Sequence, residues 1–206
     1  PLPPVVVEPQ AATVFIVDDE LPVRKSLRWL IESVGLKAEA FESAGDFLNS
    51  FDPQRPGCLV LDIRMPGMSG LDLQERLIER GSLLPVIFVT AHADVPSAVR
   101  SMKHGAVNLL EKPVSEQLLL DQIQQCLRQD REQREAAARL AVMTARCNSL
   151  TAREAEVLDH VAGGYSSREI GTLLGVSYKT VEAHRAKIMK KMEADSVPDL
   201  IRQFLA

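Results

Sequence analysis

Five short strand-like runs, most of them apolar, alternate with stretches of helical spacing across residues 13–110, and this alternation constrains the fold more than any other feature. The runs are 13–17, 37–41, 58–62, 85–90 and 107–110. Between them, residues 22–34, 44–50, 69–80 and 95–104 carry apolar side chains at helical spacing. Leu27, Leu30, Ile31 and Val34 mark one buried face, and Leu71, Leu73, Leu77 and Ile78 another. Strand and helix in strict alternation, with short connections, predict a doubly wound α/β domain on a five-stranded parallel sheet.

Right-handed crossovers place the C-terminal end of every strand on one edge of such a sheet, and ligands bind on that edge. The residues delivered there are Asp18 and Asp19, Asp62, Thr90 and Lys112. Alone, Asp62 in Leu61-Asp62-Ile63-Arg64-Met65-Pro66-Gly67 reads as a turn aspartate. Beside two further carboxylates it reads differently. Clustered carboxylates repel unless a cation or protons sit among them. An all-oxygen donor set that keeps waters favours Mg²⁺, with Mn²⁺ as a substitute, over zinc. With its charge offset in this way, Asp62 stays ionised as a nucleophile toward a phosphoryl group. Thr90 is positioned to hydrogen-bond one phosphoryl oxygen and Lys112 to neutralise another.

The set Asp18-Asp19, Asp62 with Met65-Pro66-Gly67 and Gly70, Thr90-Ala91 and Lys112-Pro113 closely resembles the receiver domain of two-component response regulators, a flavodoxin-like fold. The resemblance covers residues 11–127. It implies that Asp62 is the phosphoacceptor and that Asp19 and Asp62 bind Mg²⁺ directly. By the same resemblance Asp18 assists through water, the Arg64 backbone carbonyl completes the site, and the Lys112–Pro113 bond is cis. Many receivers carry an aromatic residue three positions before the lysine, where this chain has Leu109, so a ring-swing switch is not available here. Arg64 and His92 each follow a site residue by two positions and are expected to tune dephosphorylation.

Residues 114–150 contain no glycine or proline. Leu118, Leu119, Ile123, Cys126 and Leu127 share a helical face, residues 128–135 are almost wholly polar, and 136–145 are alanine-rich. This reads as one helix that becomes a linker over 128–147, its exposed middle held by pairs such as Arg131 with Glu135; a hinge near 128–133 is the alternative. Beyond it, Thr151-x-x-Glu154 and Ser166-x-x-Glu169 are capping boxes, Gly163-Gly164 and Gly175 are stops, and Ser177 and Ser196 cap two more helices. Four short helices with a tight glycine turn have the shape of a helix-turn-helix domain, assigned to 148–206.

The third of these helices, over residues 178–192, has a net charge of +4 within a segment that is neutral overall. On a helical wheel Val181, Ile188 and Met192 fall on one side, with His184 flanking. Lys179, Glu182, Ala183, Ala186, Lys187 and Lys190 fall on the other, where small alanines allow close entry into a groove. The wider pattern, from Leu150-Thr151-x-Arg153-Glu154 through Lys179-Thr180-Val181-Glu182-x-His184-Arg185, is similar to LuxR-type domains in the FixJ-like arrangement behind a receiver. Carried over, Thr180 and Arg185 meet the DNA backbone, Lys179, Glu182, Ala183 and Ala186 face bases, Lys190 reaches a flanking phosphate, and His184 packs and hydrogen-bonds.

Charge divides the chain: residues 1–127 are net −6, residues 128–147 net +2 and residues 148–206 net 0. Net charge therefore does not announce nucleic-acid binding, and its placement carries that argument. Aromatics at 4% make base stacking on a sheet an unsuitable mode, and three scattered cysteines form no metal-binding pair. No apolar run approaches the length of a membrane span, and residues 1–10 read as a loose leader without the marks of a signal peptide. The resulting expectation is a cytoplasmic, phosphorylation-switched transcriptional activator and not an enzyme. Its expected partners are a sensor histidine kinase, promoter DNA with two-fold related sites, RNA polymerase, and a second copy of itself when phosphorylated, with the 95–104 helix and fifth strand as the rearranging surface. Two alternatives stand beside it. One is a dehalogenase-like phosphatase, which would want an acid where Arg64 stands. The other is a constitutive DNA-binding module whose receiver serves as a docking platform.

Overall fold

The computed structural model describes residues 11–91, 99–101 and 103–205. They form two compact units, one ending at Arg134 and one beginning at Glu135. The first is built from β1 (Thr13–Val17), α1 (Leu21–Ser33), β2 (Lys37–Phe41), α2 (Ala44–Ser50), β3 (Gly57–Leu61), α3 (Gly70–Glu79), β4 (Val86–Thr90), β5 (Asn108–Glu111) and the first part of α4 (Glu116–Asn148). Half of the expected 95–104 helix lies outside the described residues, with 99–101 and 103 helical where they are described, and the leader and His92 lie outside as well.

The strands pair in parallel in the order β2-β1-β3-β4-β5. Every residue of β1, β3 and β4 is buried, as expected for strands covered on both faces. Side chains alternate across the sheet and so divide into two cores. Phe15, Val17, Leu59, Leu61 and Phe88 pack with Phe47 of α2 and with Leu71, Leu73 and Leu77 of α3. Val14, Ile16, Cys58, Val60, Ile87 and Val89 pack with Leu30 and Ile31 of α1 and with Leu119, Ile123 and Cys126 of α4. The strand order reverses between β1 and β3, so the loops after these two strands diverge and open a crevice at their C-terminal ends.

Two expected core positions lie outside it. Val34 follows the last turn of α1 as its cap residue and Ile78 sits near the end of α3, and both are about half exposed. The polar stretch of α4 also departs from the expectation of an exposed middle. Asp130 is buried, its Oδ2 accepts the Gly57 N–H at 2.9 Å, and it pairs with Arg134. The Arg134 guanidinium donates in turn to the carbonyls of Pro53, Gln54 and Arg55. The (i, i+4) ion pair of this stretch is therefore Asp130 with Arg134, and it faces protein. Helix is continuous through 128–133, so no hinge breaks it.

The second unit contains the end of α4 together with α5 (Ala152–Ala162), α6 (Ser167–Leu174), α7 (Tyr178–Met192) and α8 (Val197–Leu205). Both capping boxes form, at Thr151/Glu154 and Ser166/Glu169. Val157, Leu158, Val161, Ile170, Val181, Ile188, Met192 and Leu200 make the core. The turn between α6 and α7 depends on two glycines. Gly175 has a left-handed φ of 65°. At Gly171 an added Cβ would meet the Val176 carbonyl oxygen at 2.9 Å.

Candidate functional site

The crevice gathers its side chains from three strand ends. Asp18 follows β1, Asp62 follows β3, and Lys112 follows β5. The pairing of Val17 with Leu61, and the Asp62 N–H donated to the Val17 carbonyl at 2.9 Å, bring the two aspartates side by side. Thr90 ends β4 and is buried; its carbonyl accepts the Lys112 N–H at 2.8 Å, which fixes where the lysine leaves β5. The Lys112–Pro113 peptide is cis, as the resemblance implies. Gly70 lets α3 approach from below: an added Cβ there would lie 2.1 Å from the Asp62 carbonyl oxygen.

Lys112 Nζ lies 2.8 Å from Asp18 Oδ2, 3.4 Å from Asp62 Oδ2 and 3.7 Å from Glu20 Oε1. Oxygens of Asp18, Glu20 and Asp62 all fall within 4.8 Å of one another. Asp19 is half-buried and is not one of these three. Glu20 is thus a member that sequence reasoning left out, although it stands in the run Asp18-Asp19-Glu20. Arg24 is another: it is buried on α1 and donates to the Asp18 carbonyl at 2.8 Å, and an arginine inside a helix gives no signal of that contact. The Arg64 N–H donates to Asp62 Oδ1 at 3.3 Å, and Arg64 as a residue is exposed.

Electrostatics keep this cluster poised. Burial raises the Asp62 pKa and the Asp18 carboxylate raises it further, while Lys112 and the Arg64 N–H oppose them. For Lys112, burial acts to lower the pKa, but the hydrogen bond and charge of Asp18 with the charge of Asp62 outweigh it and the pKa rises. One lysine beside three carboxylates leaves the cluster with an excess of negative charge, and its donors are hard oxygens. That set suits a divalent cation of the Mg²⁺ type.

Leu109 is half-buried and packs against the core shared by Phe88, Leu61 and Ala106. It faces inward, the side on which an aliphatic residue is stable.

In the second unit α7 sorts its residues as the wheel predicts. Val181, Ile188 and Met192 are buried. Lys179, Thr180, Glu182, Ala183, Ala186, Lys187 and Lys190 are exposed, and Arg185 is half-buried. Glu182 does not stand free, because the Ser167 hydroxyl at the start of α6 donates to its Oε1. Ser167, Arg168 and Tyr178 share a groove with Glu182, Arg185 and Ala186, and the sequence reading had not placed them there. His184 is half-buried, but its Nδ1 has no hydrogen-bond partner, so the expected hydrogen bond is not formed at that atom. The last lysines do not all face outward: Lys191 donates to Glu154 and to the Ser149 carbonyl, which ties α7 to α5 and to the end of α4.

Residues 14–124 match the family described as response regulator receiver domain, and residues 148–204 match the family described as bacterial regulatory proteins, luxR family. Transcriptional regulatory protein TdiR of Thauera aromatica is 46% identical over 195 residues, covering 93% of this chain and 84% of the relative. Response regulator protein TodT of Pseudomonas putida strain F1 is 42% identical over 193 residues, covering 94% and 85%. The solved structure of the response regulator StyR superposes with a TM-score of 0.90 at 42% identity, over 95% of this chain and 98% of that one. The sequence had also suggested a likeness to the regulator of styrene catabolism in pseudomonads, and the likeness to StyR is in keeping with it.

Proposed function

Since this chain belongs to the response regulators that join a receiver domain to a LuxR-type DNA-binding domain, we propose that Asp62 is its phosphoacceptor and that phosphorylation switches promoter binding by residues 148–206. We assign 11–127 to the receiver, 128–147 to the helical linker and 148–206 to DNA binding. The observation that carries the reading is the convergence of Asp18, Glu20, Asp62 and Lys112 at one sheet edge, in a chain that also presents a basic helix with an exposed outer face.

The donor is the phosphohistidine of a sensor kinase. An Asp62 carboxylate oxygen attacks phosphorus, the N–P bond breaks as the O–P bond forms, and the acyl phosphate remains on Asp62. Asp18, Asp19, Asp62 and the Arg64 carbonyl are the group we assign to a Mg²⁺ ion, with Glu20 as an added acidic neighbour. When bound, the ion offsets the charge of carboxylates and phosphoryl oxygens together. Lys112 pairs with one phosphoryl oxygen, and the Thr90 hydroxyl is assigned to another. Arg64 and His92, each two positions beyond a site residue in the sequence, set the lifetime of the acyl phosphate.

On the output side Lys179, Glu182, Ala183 and Ala186 face base edges. Thr180, Arg185, Lys187 and Lys190 meet the backbone. The phosphorylated chain acts as a homodimer on two-fold related sites and engages RNA polymerase as an activator in the cytoplasm. Among the described residues no helix is long and apolar enough to cross a membrane.

The test is to treat the full chain and Asp62→Asn with acetyl phosphate and Mg²⁺. Acyl phosphate is then followed by phosphate-affinity electrophoresis, and DNA selection is run with and without the donor. Wild type gains a phosphate and enriches a symmetric site, and Asp62→Asn does neither. Equal enrichment by both proteins would refute the switch while leaving DNA binding intact. Decay of the acyl phosphate in Arg64→Ala and His92→Ala tests the lifetime assignment, and unchanged decay in both would remove it.

A further inference from the structure

The receiver holds a second polar site, away from the Asp62 edge. A cavity of about 140 Å³ lies beside the start of β4, lined by residues of α3, of the segment 82–86, of His104-Gly105 and of α4. Leu77, Ile78, Leu84, Pro85 and Val86 form its apolar walls, and Ser82 and Gln129 are among the polar residues that line the rest. Asp62 follows the C-terminal end of β3, whereas this cavity is at the opposite, N-terminal end of the neighbouring strand.

Among the described residues, four buried side-chain atoms have no hydrogen-bond partner, and three of them belong to residues of this one cavity: Gln74 Oε1, His104 Nδ1 and Gln133 Oε1. The orientation of Gln74 is determined by its surroundings. Its Nε2 donates to the carbonyls of Ser101 and His104, at 3.4 and 3.2 Å. Reversing the amide would set oxygen against two carbonyls, so Oε1 must be the atom left over. Gln74 is only 2% exposed, so water outside cannot satisfy it. His104 Nδ1 lies 3.4 Å from Glu75 Oε1 without a hydrogen bond between them.

We propose that this cavity is a binding site for a single-ring molecule carrying a hydroxyl or amino donor. A cavity of roughly 150 Å³ with apolar walls admits one six-membered ring. Here the size is similar, but the Gln74 amide oxygen is left as an acceptor, with Gln133 Oε1 and His104 Nδ1 also without partners beside it. Such a site rejects a ring without a donor, because its buried acceptors then stay unpaired. Among the described residues no carboxylate lines it, which disfavours a fully charged ammonium. The occupant touches α3, the 104–105 turn and α4 together.

The probe is phenol, with benzene as the control ring, titrated into the ¹⁵N-labelled full chain and followed by amide and side-chain NH₂ shifts. Saturable shifts with phenol at Gln74, Leu84, Gly105 and the Gln133 side chain, with benzene weaker by about tenfold, support the site. Gln133→Leu, on the half-buried side of α4, keeps the fold and cuts the preference for phenol severalfold; Gln74→Leu does so more strongly if it folds. Equal shifts from benzene and phenol, which would make the cavity an unselective apolar one, or no saturable shift from either, which would leave a cavity that takes water only, overturn the proposal. None of these outcomes depends on phosphorylation of Asp62.

Discussion

Lys112 is closer to Asp18 than to Asp62: its ammonium is 2.8 Å from the first carboxylate and 3.4 Å from the second. The lysine assigned to the phosphoryl group is therefore held by a neighbour of the phosphoacceptor. Asp18 is 3% and Lys112 17% exposed at the side chain, so the pair is largely removed from water. Lys112→Met should cost roughly 3 kcal/mol in the absence of divalent ions, because three carboxylates lose their cation. Millimolar Mg²⁺ should return part of that loss. Urea unfolding with and without Mg²⁺ measures both, and an unchanged midpoint in Lys112→Met would show that the contact contributes nothing to stability.

Asp130 and Arg134 bind α4 to the 53–57 segment. Arg134→Met leaves the buried Asp130 carboxylate with the Gly57 N–H but without its cation, and should destabilise the first unit by about 3 kcal/mol. Asp130→Asn with Arg134→Met should cost less than the sum of the singles, since each single leaves a buried polar group unmatched. A double-mutant cycle by chemical denaturation is the check, and additive losses contradict the coupling.

The second unit should weaken in acid through Glu154. The Lys191 ammonium, with the Thr151 N–H, lowers its pKa to about 2 from the 4.5 usual for a glutamate. A folded pKa below the unfolded value means that the contribution is complete above about pH 4.5 and lost as pH falls toward 2. Glu154→Gln should flatten this part of an acid titration followed by circular dichroism. Thr151→Ala, which removes the cap, should cost about 1 kcal/mol at neutral pH.

DNA binding by the exposed face of α7 makes two separable predictions. Lys190→Ala should weaken binding to all sequences alike and reduce the salt slope by about 0.9. Ser167→Ala frees the Glu182 carboxylate and should alter base preference with little change in slope. Binding isotherms at several salt concentrations, with a panel of sites, distinguish the two. A changed slope in Ser167→Ala would assign the serine to phosphate contact instead.

Much of this was legible in the chain as a string. Short continuous apolar runs bounded by turn residues made β1, β3 and β4 readable, and capping boxes marked the starts of α5 and α6. The strand-end rule brought Asp18, Asp62, Thr90 and Lys112 to one edge from four places in the sequence. The errors fell where helix periodicity runs past the end of the packed face, at Val34 and Ile78. They fell also where a polar run faces protein, at Asp130 and Arg134.

The sequence alone determined that Asp18, Asp62, Thr90 and Lys112 come to the crevice edge and which face of α7 stays in water, because both follow from patterns local to one element. Tertiary structure alone decided which partner each polar group takes. Glu20 joins the acidic cluster, Ser167 holds Glu182, Asp130 accepts the Gly57 N–H, and Gln74 Oε1 is left without a donor. Each depends on side-chain distances between segments distant in the chain, or on how a loop turns, and no local period records those distances.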